Sequence, residues 1–131
     1  MAVFVDTGAW FAASVPSDRD HAAAAAFMRS NTDRLVTSDY IDDELLTLFR
    51  SRGQMDRAKD WVEQVRQRRL DIIEVFESDI RAATKLFFDF ADKDWSFTDC
   101  TSRVLMERLG IVRAFAFDEH FRQFGTVAVV P

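Results

Sequence analysis

Four acids occupy settings in which a carboxylate could do chemistry. Asp6 closes the apolar run Val3-Phe4-Val5, and Asp118 closes the run from Ile111 to Phe117, so two strand-like segments each end abruptly in a carboxylate. Glu44 lies inside an amphipathic helical pattern, and Asp99 stands three residues after Ser96, a capping-box spacing. Oxygen donors without nitrogen or sulfur favour a hard divalent cation such as Mg²⁺ or Mn²⁺ over Zn²⁺. Two such ions roughly 4 Å apart would activate a water and stabilise the leaving oxygen of a phosphodiester, so hydrolysis of a nucleic-acid backbone is the natural reaction. Each acid also has a plainer role: Asp6 and Asp118 as helix N-caps, Asp99 as the acid of a capping box, Glu44 as a solvated flank. Together they read differently. Like charges in one crevice raise each other's pKa unless a cation neutralises them, and no Arg or Lys sits at either strand end.

The remaining candidates are weaker. Thr7, Ser38 and Thr98 could orient metal-bound water, although such hydroxyls more commonly cap helices. His21 and His120 stand at no useful ligand spacing, and helix-end or packing roles suit both. Cys100, the only cysteine, rules out an intrachain disulfide and reads as a small buried apolar residue. No G-x-G-x-x-G, Walker or G-x-S-x-G sequence is present.

The elements that must position these acids follow from periodicity. Residues 2–5 suit a strand buried on both faces, and Gly8 to Ser14 a short helix that stops before Pro16, with Trp10 and Phe11 on or near its surface. Ser17 opens a second helix, with Asp20 in capping-box spacing and the Ala22–Ala26 run behind it. Leu35-Val36-Thr37 is a short second strand. Ser38 and Asp39 are N-cap candidates for a helix with the stripe Ile41, Leu45, Leu48 and Phe49, ending near Gly53. At 100° per residue Asp43 falls opposite this stripe, while Asp42 and Glu44 flank it on either side, so geometry alone leaves those two level. Gln54 to Arg68 continues as a helix with Met55, Ala58, Val62 and Val65 inward. Ile72 to Val75 is a third strand, and Ser78 caps a helix facing inward with Ile80, Ala83, Phe87 and Phe90. Through the Ser96 capping box the chain enters a helix that has Asp99 in its first turn, runs to Leu109 and closes at Gly110. The strand Ile111 to Phe117, a short helix from Glu119, and a last strand Val127 to Val130 complete the chain. Strands alternating with helices imply a parallel sheet in a three-layer α/β sandwich, whose sites open at the carboxyl ends of the strands.

The whole, 131 residues with 48% hydrophobic content, suits one domain spanning 1–131. No signal-like start and no stretch of transmembrane length is visible, which makes the cytoplasm the default location. A net charge of −5 argues against nucleic-acid binding by bulk electrostatics. The charge is uneven, however: Arg50 to Arg69 carries seven basic and three acidic residues, so one edge is basic, and Arg50 and Arg52 are candidates to hold RNA phosphates.

The segments VFVDTGAWFA, DRDHAAAAAF, DELLTLFRSRG, WSFTDCTSRVLMERLGI and AFAFDEHF with the terminal VAVVP resemble, across nearly the whole chain, the PIN-domain ribonucleases, in particular the VapC toxins of toxin–antitoxin pairs. The resemblance implies that Asp6, Glu44, Asp99 and Asp118 are an acidic quartet that binds Mg²⁺ or Mn²⁺ and cleaves RNA, with Thr7 and Thr98 as hydroxyls beside it. It also favours Glu44 over Asp42. It implies a parallel sheet in the order 3-2-1-4-5, a homodimer, and inhibition by a cognate antitoxin. Cys100 stands where a smaller residue such as Ala is more usual.

Two other readings compete with a toxin: a PIN-like nuclease outside any toxin pair, and a catalytically weak partner-binding module using Trp10, Phe11 and Phe27 as an exposed groove. A phosphotransfer receiver domain would want an acceptor Asp after the third strand and a late Lys; the chain offers Val75-Phe76-Glu77 and no Lys beyond Lys93.

Overall fold

A computed structural model describes residues 1–67 and 70–131. Five parallel strands form one sheet in the order β3-β2-β1-β4-β5: β1 (Ala2–Val5), β2 (Arg34–Ser38), β3 (Asp71–Ile73), β4 (Arg113–Phe115) and β5 (Ala128–Val130). The expected strand order is the observed one. β1 is central, with Phe4 registered against Val36 on one side and Ala114 on the other, and Val3, Phe4 and Val5 wholly buried. This is why the first strand carries no polar residue.

The helices are α1 (Thr7–Ser14), α2 (His21–Ser30), α3 (Asp39–Ser51), α4 (Met55–Asp60), α5 (Glu77–Asp89), α6 (Phe97–Leu109) and α7 (Glu119–Gln123). α4 runs directly into a π-helical segment, Trp61–Arg66. From β1 the chain winds to β2 and β3, then crosses back to β4 and β5. Right-handed crossovers in opposite directions put α1 to α4 on one face of the sheet and α5 to α7 on the other. Strand order therefore reverses between β1 and β4, and the crevice at that reversal is where Asp6 emerges.

Several elements differ from expectation. Trp10 and Phe11 are buried, not surface residues: α1 starts at Thr7, immediately after β1, so its one exposed position is Gly8 and its bulky side chains drive inward. Trp10 meets the edge of Trp61, with ring centroids 4.9 Å apart, and its indole N–H donates to Thr37 Oγ1 at 3.3 Å. Phe11 packs on Phe49, and the half-buried Phe27 on Phe115. No exposed groove of Trp10, Phe11 and Phe27 exists. α2 begins at His21 and not at Ser17, because Asp18 turns the chain instead: its Oδ1 accepts the Asp20 N–H.

In α4 Met55 is exposed, and the buried aromatic of this segment is Trp61, which the periodicity did not single out. Arg68, the expected end of that helix, and Arg69, in the basic segment, lie outside the described residues. Phe87 is also exposed, since the buried face of α5 is made by Asp79 and Ala83. Asp79 receives both the Phe76 N–H and a two-point contact from Arg108 of α6, so that face is partly ionic. β3 starts at Asp71 and stops at Ile73, short of Val75, and β4 is trimmed to Arg113–Phe115. Among the described residues no helix is long and apolar enough to cross a membrane.

Candidate active site

Asp6 stands at the junction of β1 and α1. Its N–H donates to Phe115 O at 3.0 Å, which fastens it to β4, and its carbonyl accepts from Ala9 and Trp10, both at 3.1 Å, which starts α1. The backbone at this point is therefore held from two sides, and the side chain has little freedom to leave. Asp6 is only 7% exposed. Burial foremost, then the charge of Asp99, and then those of Glu44 and Asp118, push its carboxyl up to about 8; the Thr7 backbone N–H opposes the shift. Asp6 would thus hold a proton at neutral pH unless a cation compensated the cluster.

Asp99 enters from α6. Ser96 Oγ accepts the Asp99 N–H at 3.0 Å, and Asp99 Oδ2 accepts the Ser96 N–H at 2.9 Å, so the capping box is formed as the spacing predicts. The same box delivers the carboxylate to the crevice, so the plain role and the chemical one are compatible. Neighbouring Cys100 is fully buried, and burial together with Asp99 raises its thiol pKa against the opposing charge of Arg103.

Glu44 comes from α3, whose start is fixed by Ser38 Oγ accepting the Ile41 N–H. Its Oε1 accepts the Thr7 hydroxyl, so Thr7 ties α3 to the residue that follows Asp6. Asp42, level with Glu44 in the sequence pattern, faces elsewhere: it accepts the Trp61 indole N–H and the Arg66 guanidinium, each at 2.7 Å. It is a buried anchor for the π-helical segment. Asp118 N-caps α7, accepting the His120 N–H at 2.9 Å, and its side chain is 48% exposed at the mouth of the crevice. Thr98 is partly buried in the first turn of α6; its carbonyl takes the Thr101 hydroxyl.

His120, whose spacing suggests only a packing or helix-end role, lies at the site. Its Nδ1 lies 2.7 Å from Asp99 Oδ2 and 3.3 Å from Asp118 Oδ1. The reason is local: it sits in the first turn of a helix whose N-cap is itself a site acid, and first-turn side chains lean back toward the N-terminus. That position relative to Asp118 was a usable signal. His21, by contrast, contacts Ala12 O at 2.7 Å through Nδ1 and joins α2 to α1, the helix-end role expected of it.

The donor set is three aspartates and a glutamate, and among the described residues no Lys or Arg pairs with any of them. Its chemistry fits a hard divalent cation. Among the described residues no three ligand side chains already stand close enough to enclose one ion. Glu44 is held by Thr7, Asp99 by Ser96 and His120, and Asp118 by its own helix, so binding would exchange some of these hydrogen bonds for coordination.

Two hollows flank α3. A groove of about 970 Å³ opens beside Gly8 and Asp118, lined by Phe11 and Phe117, by Arg19 and Arg52, and by the acids Asp18, Asp20 and Glu119. Arg50 lies in a separate apolar hollow of about 500 Å³ between α3 and α4, lined by Leu46, Ala58 and Val62. The two candidate phosphate contacts are thus on different surfaces.

Residues 3–127 match the PIN domain family. The chain is 30% identical over 130 residues to the 23S rRNA-specific endonuclease VapC20 of Mycobacterium tuberculosis, in strains H37Rv and CDC 1551 alike, with 98% of both chains covered. The crystal structure of M. tuberculosis VapC20, a Sarcin-Ricin loop cleaving toxin, superposes with a TM-score of 0.91 at 28% identity, covering 98% of this chain and 99% of that one. The chain belongs to the PIN-domain family.

Proposed function

We propose that this protein is a metal-dependent endoribonuclease, the VapC-type toxin of a toxin–antitoxin pair, working in the cytoplasm. The observation that carries this reading is the buried Asp6 at the sheet's reversal, clustered with Glu44, Asp99 and Asp118 and without a basic partner among the described residues, on a chain similar along its whole length to an rRNA endonuclease. Asp6, Glu44, Asp99 and Asp118 are the residues that would hold Mg²⁺ or Mn²⁺. When bound, such an ion supplies an activated water and charge stabilisation at the scissile phosphate.

The chain's own part is to hold these four carboxylates in a cleft with few alternatives. The β1–β4 hydrogen bond fixes Asp6, the capping box fixes Asp99, the Thr7 hydroxyl fixes Glu44, and the N-cap of α7 fixes Asp118. Thr98, beside Asp99, is proposed to orient water at the site. Arg52 faces the groove that begins at Asp118, where a guanidinium can take an RNA phosphate next to the one being cut. Arg50 contributes at most from the far side of α3. A structured rRNA loop is the substrate to try first, given what the similar toxin cleaves. The proposed assembly is a homodimer silenced by a cognate antitoxin.

The test is to incubate the purified protein with ribosomes and with naked rRNA in Mg²⁺ or Mn²⁺ and map new ends by primer extension. Discrete metal-dependent cuts are expected. Intact RNA under all conditions would overturn the reading. The partner-binding alternative loses its surface, because Trp10 and Phe11 are core residues.

A further inference from the structure

Among the described residues His120 is the one side chain whose polar contacts reach two of the four acids, Asp99 and Asp118. Asp99 Oδ2 receives two donors, the Ser96 N–H at 2.9 Å and the His120 Nδ1 at 2.7 Å. With both donors on one oxygen, the other oxygen, Oδ1, has no partner among the described hydrogen bonds and would be available as a ligand. The same imidazole nitrogen lies 3.3 Å from Asp118 Oδ1, and His120's own N–H is what Asp118 caps at 2.9 Å. One residue of α7 therefore sets the spacing between an acid of α6 and an acid following β4. The ring is only 24% exposed and Asp99 only 11%, so the contact is sheltered from competing water.

We propose that His120 is a positioning residue of the metal site: through Nδ1–H it fixes the Asp99 carboxylate by one oxygen, leaving the other available as a ligand, and it ties Asp99 to Asp118. The inference rests on the metal-dependent reading above and names a residue which that reading does not require. A hydrogen-bonded partner behind a ligating carboxylate fixes its rotamer before the ion arrives, and loss of such a partner typically weakens metal binding about 10–100-fold. The alternative that His120 itself ligates the ion makes a different prediction, because a nitrogen ligand carries a magnetic signature.

The test uses Mn²⁺ titrated calorimetrically into the full chain, and electron spin-echo spectroscopy of the Mn²⁺-loaded protein. His120→Ala is expected to weaken Mn²⁺ about 10–100-fold. His120→Asn, whose amide N–H can stand where Nδ1–H stood, is expected to restore affinity to within about 5-fold of the parent, a loss of no more than about 1 kcal/mol. Circular dichroism and thermal unfolding should show all three proteins folded. Equal affinity in the parent and His120→Ala would overturn the proposal, as would a His120→Asn variant no better than His120→Ala. A ¹⁴N coupling that disappears in His120→Ala would overturn it too, by making the residue a ligand. If the parent itself binds no Mn²⁺, the metal-dependent reading fails first, and the two failures are told apart by that single titration.

Discussion

The Thr7 hydroxyl donates to Glu44 Oε1, joining the residue after Asp6 to the middle of α3. This contact gives Glu44 a place at the crevice while Asp42, two residues earlier on the same helix, is turned toward Trp61 and Arg66. The two carboxylates should therefore fail in opposite ways. Asp42→Ala leaves a buried indole N–H without its acceptor and should cost about 2–4 kcal/mol in stability while leaving most of the activity of the folded fraction. Glu44→Gln should barely change stability but lower the cleavage rate at least about 10-fold. Urea unfolding and single-turnover cleavage of both variants check this.

Asp6 makes stability depend on pH in an unusual direction. In the unfolded chain its pKa returns to about 3.8, whereas in the fold it is pushed up to about 8. Between these values the folded state keeps a proton that the unfolded state has lost, so this group's contribution falls as pH rises from about 4 to 8. Above that range the full cost is present. Asp6→Asn should therefore stabilise the metal-free protein at pH 8 by about 1–3 kcal/mol and have little effect near pH 4. Denaturant melts at the two pH values test the sign; a destabilised variant at pH 8 would refute it.

Metal should act on the same charge. Because the cation compensates charge that accumulates as Asp6 ionises, Mn²⁺ should raise the melting temperature more at pH 8 than at pH 5. Asp6→Asn should lose most of that increment. Scanning calorimetry with and without EDTA measures it.

Arg50 and Arg52 lie two residues apart but in different hollows. Arg52→Glu should raise KM for RNA about 5–20-fold and flatten its salt dependence, whereas Arg50→Glu should do neither. Equal effects would mean that RNA crosses both sides of α3.

The legibility of the sequence varied with the kind of signal. The strand Val3-Phe4-Val5 and the Ser96–Asp99 box were readable because each is local: burial on both faces leaves an unbroken apolar run, and a capping box has a fixed spacing. The strand order and the preference for Glu44 came from the resemblance, since periodicity left Asp42 and Glu44 on equal terms. What could not be read depended on contacts distant in sequence. Trp10 and Phe11 looked exposed on a short helix until Trp61, Thr37 and Phe49 closed over them. His120 looked idle because its partner Asp99 is 21 residues away. Trp61 stands only on the flank of the Met55, Ala58, Val62 and Val65 stripe, and what buries it, Trp10 and Asp42, is distant in sequence.

Whether the four carboxylates carry metal-dependent RNA cleavage is tested most directly at Asp6. Single-turnover cleavage of an rRNA substrate should be abolished by EDTA and restored by Mg²⁺ or Mn²⁺. It should fall at least about 100-fold in Asp6→Asn, as loss of several kcal/mol of transition-state stabilisation requires, while that variant melts no earlier than the parent. Cleavage at the parental rate by a folded Asp6→Asn protein, or cleavage indifferent to EDTA, would contradict the account.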